Sequence, residues 1–316
     1  VVATSAHPYT VKNTLPCGEA FLTSMGPAAY TVALALGAAV FFAFGNQSSR
    51  RALNYADPQT VTLYQIGVAG ALYWLASPLF LKWEYFASAA ALMLATIGLF
   101  RPLISANLST AGVRMLGPTV SSTVSASAPL LGVTLGVMLL DESLPWQAGA
   151  GTVGMVAAIL VLSWRKPEQR MWPVLALLLP LGAATIRASS HAVTKIGMEE
   201  IPSPFFAALV TYSVSFPLAF AYAYWRGYRF NARTIPLSGY GWMSMSGLMF
   251  GLAVLALNSA LLSGDLVVVS PITACTPLFT LLLGRWVFGE AHLDRRAIIA
   301  VGLVVPSLIL IGLRGI

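Results

Sequence analysis

The chain of 316 residues is 57% hydrophobic and only 9% charged, with 18 Lys and Arg against 11 Asp and Glu. A soluble domain carries about 25% charge to hydrate its surface, so this composition excludes a soluble enzyme, a disordered chain and a collagen-like repeat, and makes lipid the solvent for most of the surface. The net charge of +7 does not imply nucleic acid, because no basic run exceeds two residues and the basic residues lie between apolar stretches, where they act as topology signals.

Residues 1–24 contain one lysine and no apolar core, so they are not a signal peptide. They read as a disordered leader or tag, with Met25 as the native start. Crossing a bilayer takes roughly 20 apolar residues. Windows of that kind predict ten spans, at 28–49, 59–81, 86–113, 118–140, 146–164, 172–196, 203–225, 238–262, 266–288 and 297–314. The connections are short and hold the breakers and charges, such as Asn54 to Pro58, Gly117–Pro118, Asp141–Glu142, Glu199 to Pro204 and Gly264–Asp265. Such hairpins force antiparallel neighbours, and the product is an all-α integral membrane bundle. No window shows the alternation of a transmembrane barrel. Cys17 and Cys275 give neither a disulfide framework nor a metal spacing.

The chain repeats itself. A displacement of 148 residues lays 117–164 on 265–312 and matches Ser122 with Ser270, Pro129 with Pro277, Gly136 with Gly284, Glu142 with Glu290 and Gly154 with Gly302. A displacement of 144 matches Arg51 with Lys195 and Pro58 with Pro202. Apolar composition alone does not align Pro, Gly and Glu. The domains are therefore two homologous halves, 25–165 and 166–316, of five spans each. Five is odd, so consecutive copies enter the membrane in opposite orientation. The predicted fold is ten transmembrane helices as two inverted five-helix repeats (5+5) around a central cavity, the design that secondary transporters use for alternating access.

The stretch from Ala111 and Arg114 through Pro129 to Glu142 resembles the drug/metabolite transporter superfamily, specifically its EamA-type members. Their pattern is a basic residue, a proline fifteen residues on, and an acidic turn thirteen residues later. Pro277 and Glu290 keep this spacing in the second half, where Leu262 replaces the basic residue. The first helix of each half is similar to the family's aromatic-Gly-Ser-Asn…Lys motif through Asn46 and Arg51, and through Ser190 and Lys195. Ala43 and Arg187 depart from it, standing where an aromatic is common. The resemblance covers Met25 to Arg314. It implies a transporter and leaves the substrate open among amino acids, nucleotide sugars, sugar phosphates and other metabolites.

Arg187 falls near the middle of the sixth span, where an ionised side chain is a functional hypothesis by default. His191 follows one turn later on the same face. Together they could hold a substrate carboxylate through the bidentate guanidinium fork. A structural Arg bonded to free carbonyls is the competing reading. Arg101 stands before Pro102 in the third span and fits either role, filling the gap that proline leaves or contacting substrate. Asn46, Asn107 and Asn258 recur as polar groups in the first, third and eighth spans and are candidate cavity neighbours, each also fit to join helices. Tyr64 and Tyr212 lie deeper than the interfacial aromatics and complete the candidate substrate set. Pro129 and Pro277 are expected to kink the fourth and ninth spans at equivalent places and to act as hinges. Glu142 and Glu290 read as caps or as partners of nearby basic residues.

All Asp and Glu fall in the leader, loops or span ends, and only His191 titrates near neutral pH in mid-span. That pattern favours a facilitator or exchanger over a proton-coupled antiporter. A membrane-embedded enzyme lacks support, since His7, His191 and His292 are far apart and no mid-span carboxylate accompanies them. The leading expectation is a bacterial inner-membrane exporter of an amino acid or derivative. No cofactor and no metal is implied. The partners expected are a small-molecule substrate and membrane lipid, with no nucleic acid, and the two halves in one chain suit a monomer. Basic residues concentrate in the loops after the odd-numbered spans, which places those loops in the cytoplasm and both termini outside.

Overall fold

The computed structural model describes residues 26–101, 103–163, 174–225, 227, 235–289 and 295–312, and every regular element among them is helical. The predicted leader 1–24 lies outside the described residues, as do Glu290, His292 and the stretches 164–173 and 228–234. In the first half, α1 (Pro27–Ala52) and α2 (Pro58–Phe80) are followed by a short 3-10 turn at Trp83–Ala87. Then come α3 (Ala89–Phe100), α4 (Leu103–Ser125), α5 (Ala128–Leu139) and α6 (Trp146–Ser163). After a second 3-10 turn, Val174–Leu177, the second half holds α7 (Leu178–Glu200), α8 (Pro204–Trp225) and α9 (Leu237–Ser263). It closes with α10 (Leu266–Thr273), α11 (Thr276–Trp286) and α12 (Arg295–Gly312).

The helices start where the sequence carries start signals. Asp57 precedes Pro58, and its Oδ1 accepts from the Gln59 and Thr60 amides at 3.0 Å each. The Ser88 hydroxyl accepts from the Ala91 amide at 3.1 Å, and Ser203 does the same for Phe206 at 3.2 Å. Each cap satisfies an amide that has no partner inside its own helix. Proline at the first helical position costs nothing, because its missing N–H would have been an orphan.

Among the described residues α1, α2, α8, α9 and the α10–α11 pair are each long and apolar enough to cross a membrane; α3, α5, α6 and α12 are shorter apolar helices. The chain is an integral membrane protein, and its outer surface shows it: Leu75, Leu79, Leu92 and Met138 are all more than 70% exposed. Trp83, Trp146, Trp225 and Trp286, equally exposed, sit at helix ends, the position of interfacial anchors.

The sequence and the structure part at the third and fourth spans. The expected hairpin at Gly117–Pro118 is absent, and α4 runs through it. The chain breaks instead at Arg101 and at Ala126–Ser127. The first break follows from steric crowding by proline of the residue before it, which takes Arg101 out of the helical region to φ −119°, ψ 141°. The second has a counterpart in the other half. Ser127 (φ −72°, ψ −14°) and Cys275 (φ −73°, ψ −4°) close equivalent turns, and each is followed by a helix with proline in its first turn. Pro129 and Pro277 therefore open α5 and α11, so each follows the break instead of kinking a continuous helix.

Packing repeats when the halves are exchanged. α1 packs on α9, as α7 packs on α3 and α4; α1 also packs on α10 and α11, as α7 does on α4 and α5. α2 touches α9 as α8 touches α3. The pairs α2–α8 and α6–α12 join equivalent elements of the two halves, and α5 meets α10, a segment of the broken span equivalent to its own. Glycine permits two of these close crossings, since a Cβ at Gly132 would meet the Ser270 side chain and one at Gly154 would meet Ser307.

Candidate substrate site

The break after α3 places a cation inside the bundle. The carbonyls of Gly98 and Arg101, left without partners at the end of α3, converge with that of Thr211 on the Ser215 hydroxyl of α8, whose single proton they share. A Cβ at Gly98 would lie 2.7 Å from Val214 and 2.8 Å from the Thr211 carbonyl, so α3 and α8 are in backbone-close contact here. Tyr212, in the same turn of α8, is buried and stacks on Tyr73 with ring centroids 5.6 Å apart.

From the other side comes α7, which packs on both α3 and α4. Arg187 and His191 are one turn apart on it. Arg101, Arg187, His191 and Tyr212 are close enough for Arg101 to act electrostatically on the other three. Arg101, Arg187 and His191 are surrounded in depth by protein atoms, yet each keeps part of its surface accessible.

Among the described residues nothing neutralises this cluster. Among the described residues no carboxylate or carbonyl bonds either guanidinium, and the buried Nδ1 of His191 has no partner. Each described Asp and Glu lies at a helix end or in a connection. Two guanidiniums within electrostatic reach in a medium poorer than water repel one another and each lacks its hydration. An anion is the group that this arrangement lacks.

The remaining candidates fall elsewhere. Asn258 is buried and donates to the Pro204 carbonyl at 3.2 Å, tying α9 to the start of α8. Tyr64 receives a 3.4 Å hydrogen bond from Ser244 and packs against Tyr240, in a small cluster with Ala52, Val61 and Met243. Asn46 is exposed on α1, whose main neighbours are α9, α10 and α11, and Asn107 is exposed on α4. Arg187, His191 and Tyr212 thus come together, joined by Arg101, whose signal in the sequence was its place before Pro102. Among the described residues no three His, Cys, Asp or Glu side chains gather as a metal site.

A second polar feature links the halves. Glu142 is buried at the start of α10, where its two oxygens accept from the Leu266 and Val267 amides at 2.8 Å each. Lys195 of α7 completes it, 2.6 Å from Glu142 Oε1 and 2.8 Å from the Gly264 carbonyl, with Asp265 at 3.7 Å. The carboxylate meets both the positive end of a helix and a cation. Glu142 is thus a cap, as expected, but for a helix of the opposite half. The equivalent basic residue, Arg51, donates to the Phe288 carbonyl at 2.9 Å and lies over the rings of Trp242 and Phe288, at 5.0 and 4.9 Å. Each half therefore extends a cation from its first helix to the broken span of the other.

Comparison with known proteins agrees with the repeat. The profile described as the EamA-like transporter family matches twice, over residues 29–164 and 174–313. No curated protein matches. Among 29 solved chains that match is one described as "Crystal structure of protein", with a TM-score of 0.74 at 16% identity over 89% of this chain and 95% of that one. At that identity the likeness concerns the fold alone.

Proposed function

The chain belongs to the EamA-like transporter family, and from that premise we propose that it is a secondary transporter, a facilitator or exchanger, for a small metabolite with an acid group. An amino acid or derivative is the class proposed, moved across a bacterial inner membrane by alternating access. The two halves are taken as inverted five-span repeats around a central hollow, complete in a single chain. Arg187 is the partner of the substrate acid group, with His191 and Tyr212 beside it. Asn46, Asn107, Asn258 and Tyr64 contribute at most to the polar path or to helix contacts. Pro129 and Pro277 mark the hinges.

One observation carries this reading: Arg101 and Arg187 lie deep in the bundle on elements that pack together, and among the described residues no carboxylate pairs with either. A guanidinium so placed costs several kcal/mol unless it is paired or hydrated, and a carboxylate bound bidentately supplies what is missing. The position of every described Asp and Glu at a helix end or connection supports a facilitator or exchanger over a proton-coupled antiporter.

The test is counterflow in proteoliposomes with a panel of labelled metabolites. Saturable counterflow is expected for the wild type, and Arg187→Ala should abolish it while the variant still inserts and elutes as a single species. Undiminished counterflow by Arg187→Ala would remove Arg187 from the site, and linear, unsaturable flux would point to a channel.

A further inference from the structure

We infer that the substrate binds as a small dianion without a free ammonium group, a dicarboxylate or a phosphate monoester, held between Arg101 and Arg187. This rests on the transporter reading above and narrows it. The count of charges is the reason. Two guanidiniums come from elements that pack on each other, one at the break after α3 and one on α7 a turn from His191, with no acidic group among the described residues to balance them. A monocarboxylate cancels one charge and leaves the other buried. A zwitterionic amino acid cancels none on balance, and places its ammonium among cations with no carboxylate to accept it. A dianion neutralises both guanidiniums and gives each a pair of oxygens that match the planar fork. It also offers the buried His191 Nδ1, unpartnered among the described residues, an oxygen or hydroxyl to bond. Among amino-acid derivatives, an N-acylated acidic amino acid satisfies the same count.

Purified full-length protein is tested by thermal shift and by competition for counterflow, with succinate, inorganic phosphate, N-acetylglutamate, acetate and alanine as probes. One or more of the first three should stabilise the protein at concentrations about ten- to a hundredfold below those needed for acetate or alanine, the factor expected for one additional charge-assisted pair. Arg101→Gln should lose that preference, so that dianions and acetate act at similar concentrations, and Arg101→Lys, which keeps the charge, should retain it. The relative effects of succinate and phosphate separate the two acid chemistries. Equal shifts from alanine and the dianions, no shift from any dianion, or an unchanged preference in Arg101→Gln would each overturn the inference. The outcome is separable from that of the transporter reading: counterflow of alanine without dianion binding leaves a carrier and sinks the dianion, whereas dianion binding without counterflow does the reverse.

Discussion

Glu142 shows how much one side chain can determine. It accepts two backbone amides of α10 and pairs with Lys195, so removing it leaves a half-buried cation with only Gly264 and the more distant Asp265, and two uncapped amides. Breaking a buried pair from one side typically costs roughly 3–5 kcal/mol. Glu142→Ala should therefore lower the thermal midpoint in detergent markedly. The double variant Glu142→Ala with Lys195→Ala should be less destabilised than the sum of the two single changes, because the stranded charge is gone. Additive losses would mean that the pair is not energetically coupled. Beside it, Asp141 holds φ 50°, and its equivalent in the repeat, Gly289, holds φ 66°. The left-handed region costs a residue with a Cβ about 1–2 kcal/mol, less for Asp, and glycine almost nothing. Asp141→Gly should be neutral or slightly stabilising, and a clear fall in midpoint would show that the Asp141 side chain has a role of its own.

At the scale of elements, the paired breaks at Ala126–Ser127 and Ala274–Cys275 are the places where a span can change its angle. Proline in the next turn keeps each break open, because it donates no hydrogen bond and its ring crowds the preceding turn. Replacing both Pro129 and Pro277 with Ala restores the donors and favours continuous helices. Slower counterflow with unchanged binding in a thermal-shift titration is expected if the breaks serve as hinges; unchanged turnover would reduce them to structural features. The repeat of Pro129 and Pro277 marked the equivalent places in the sequence, although as kinks within continuous spans and not as the ends of breaks. The course of the chain from 101 to 125 was not legible. Gly117–Pro118 has the composition of a hairpin, but a helix packed on α7 can absorb a proline when its neighbours satisfy the freed groups. The candidate site was legible in part, since Arg187 and His191 share a helical face. Tyr64 and Asn258 bond neighbouring helices, which the sequence could not show for a physical reason: a polar group in an apolar stretch looks the same whether it faces a hollow or bonds the next helix. Only partners such as the Pro204 carbonyl and Ser244 distinguish the two.

The whole molecule rests on an exchange between its halves, in which Lys195 reaches the end of the first broken span and Arg51 the end of the second. If the five-span units are inverted, these two contacts lie at opposite faces of the membrane; if the units run in parallel, they share a face. Leu144 and Val287, both exposed near the respective span ends, allow the two arrangements to be told apart. In a background with Cys17→Ser and Cys275→Ser, the single variants Leu144→Cys and Val287→Cys can be exposed to a membrane-impermeant maleimide in intact cells. The excess of Lys and Arg in the connections after the odd-numbered spans places Val287 on the cytoplasmic side. Leu144→Cys should therefore label in intact cells, and Val287→Cys only after permeabilisation. The reverse pattern would keep the inversion and flip the orientation. Labelling of both without permeabilisation would end the inverted-repeat reading, and with it the route by which a single buried cationic site could open to each side in turn.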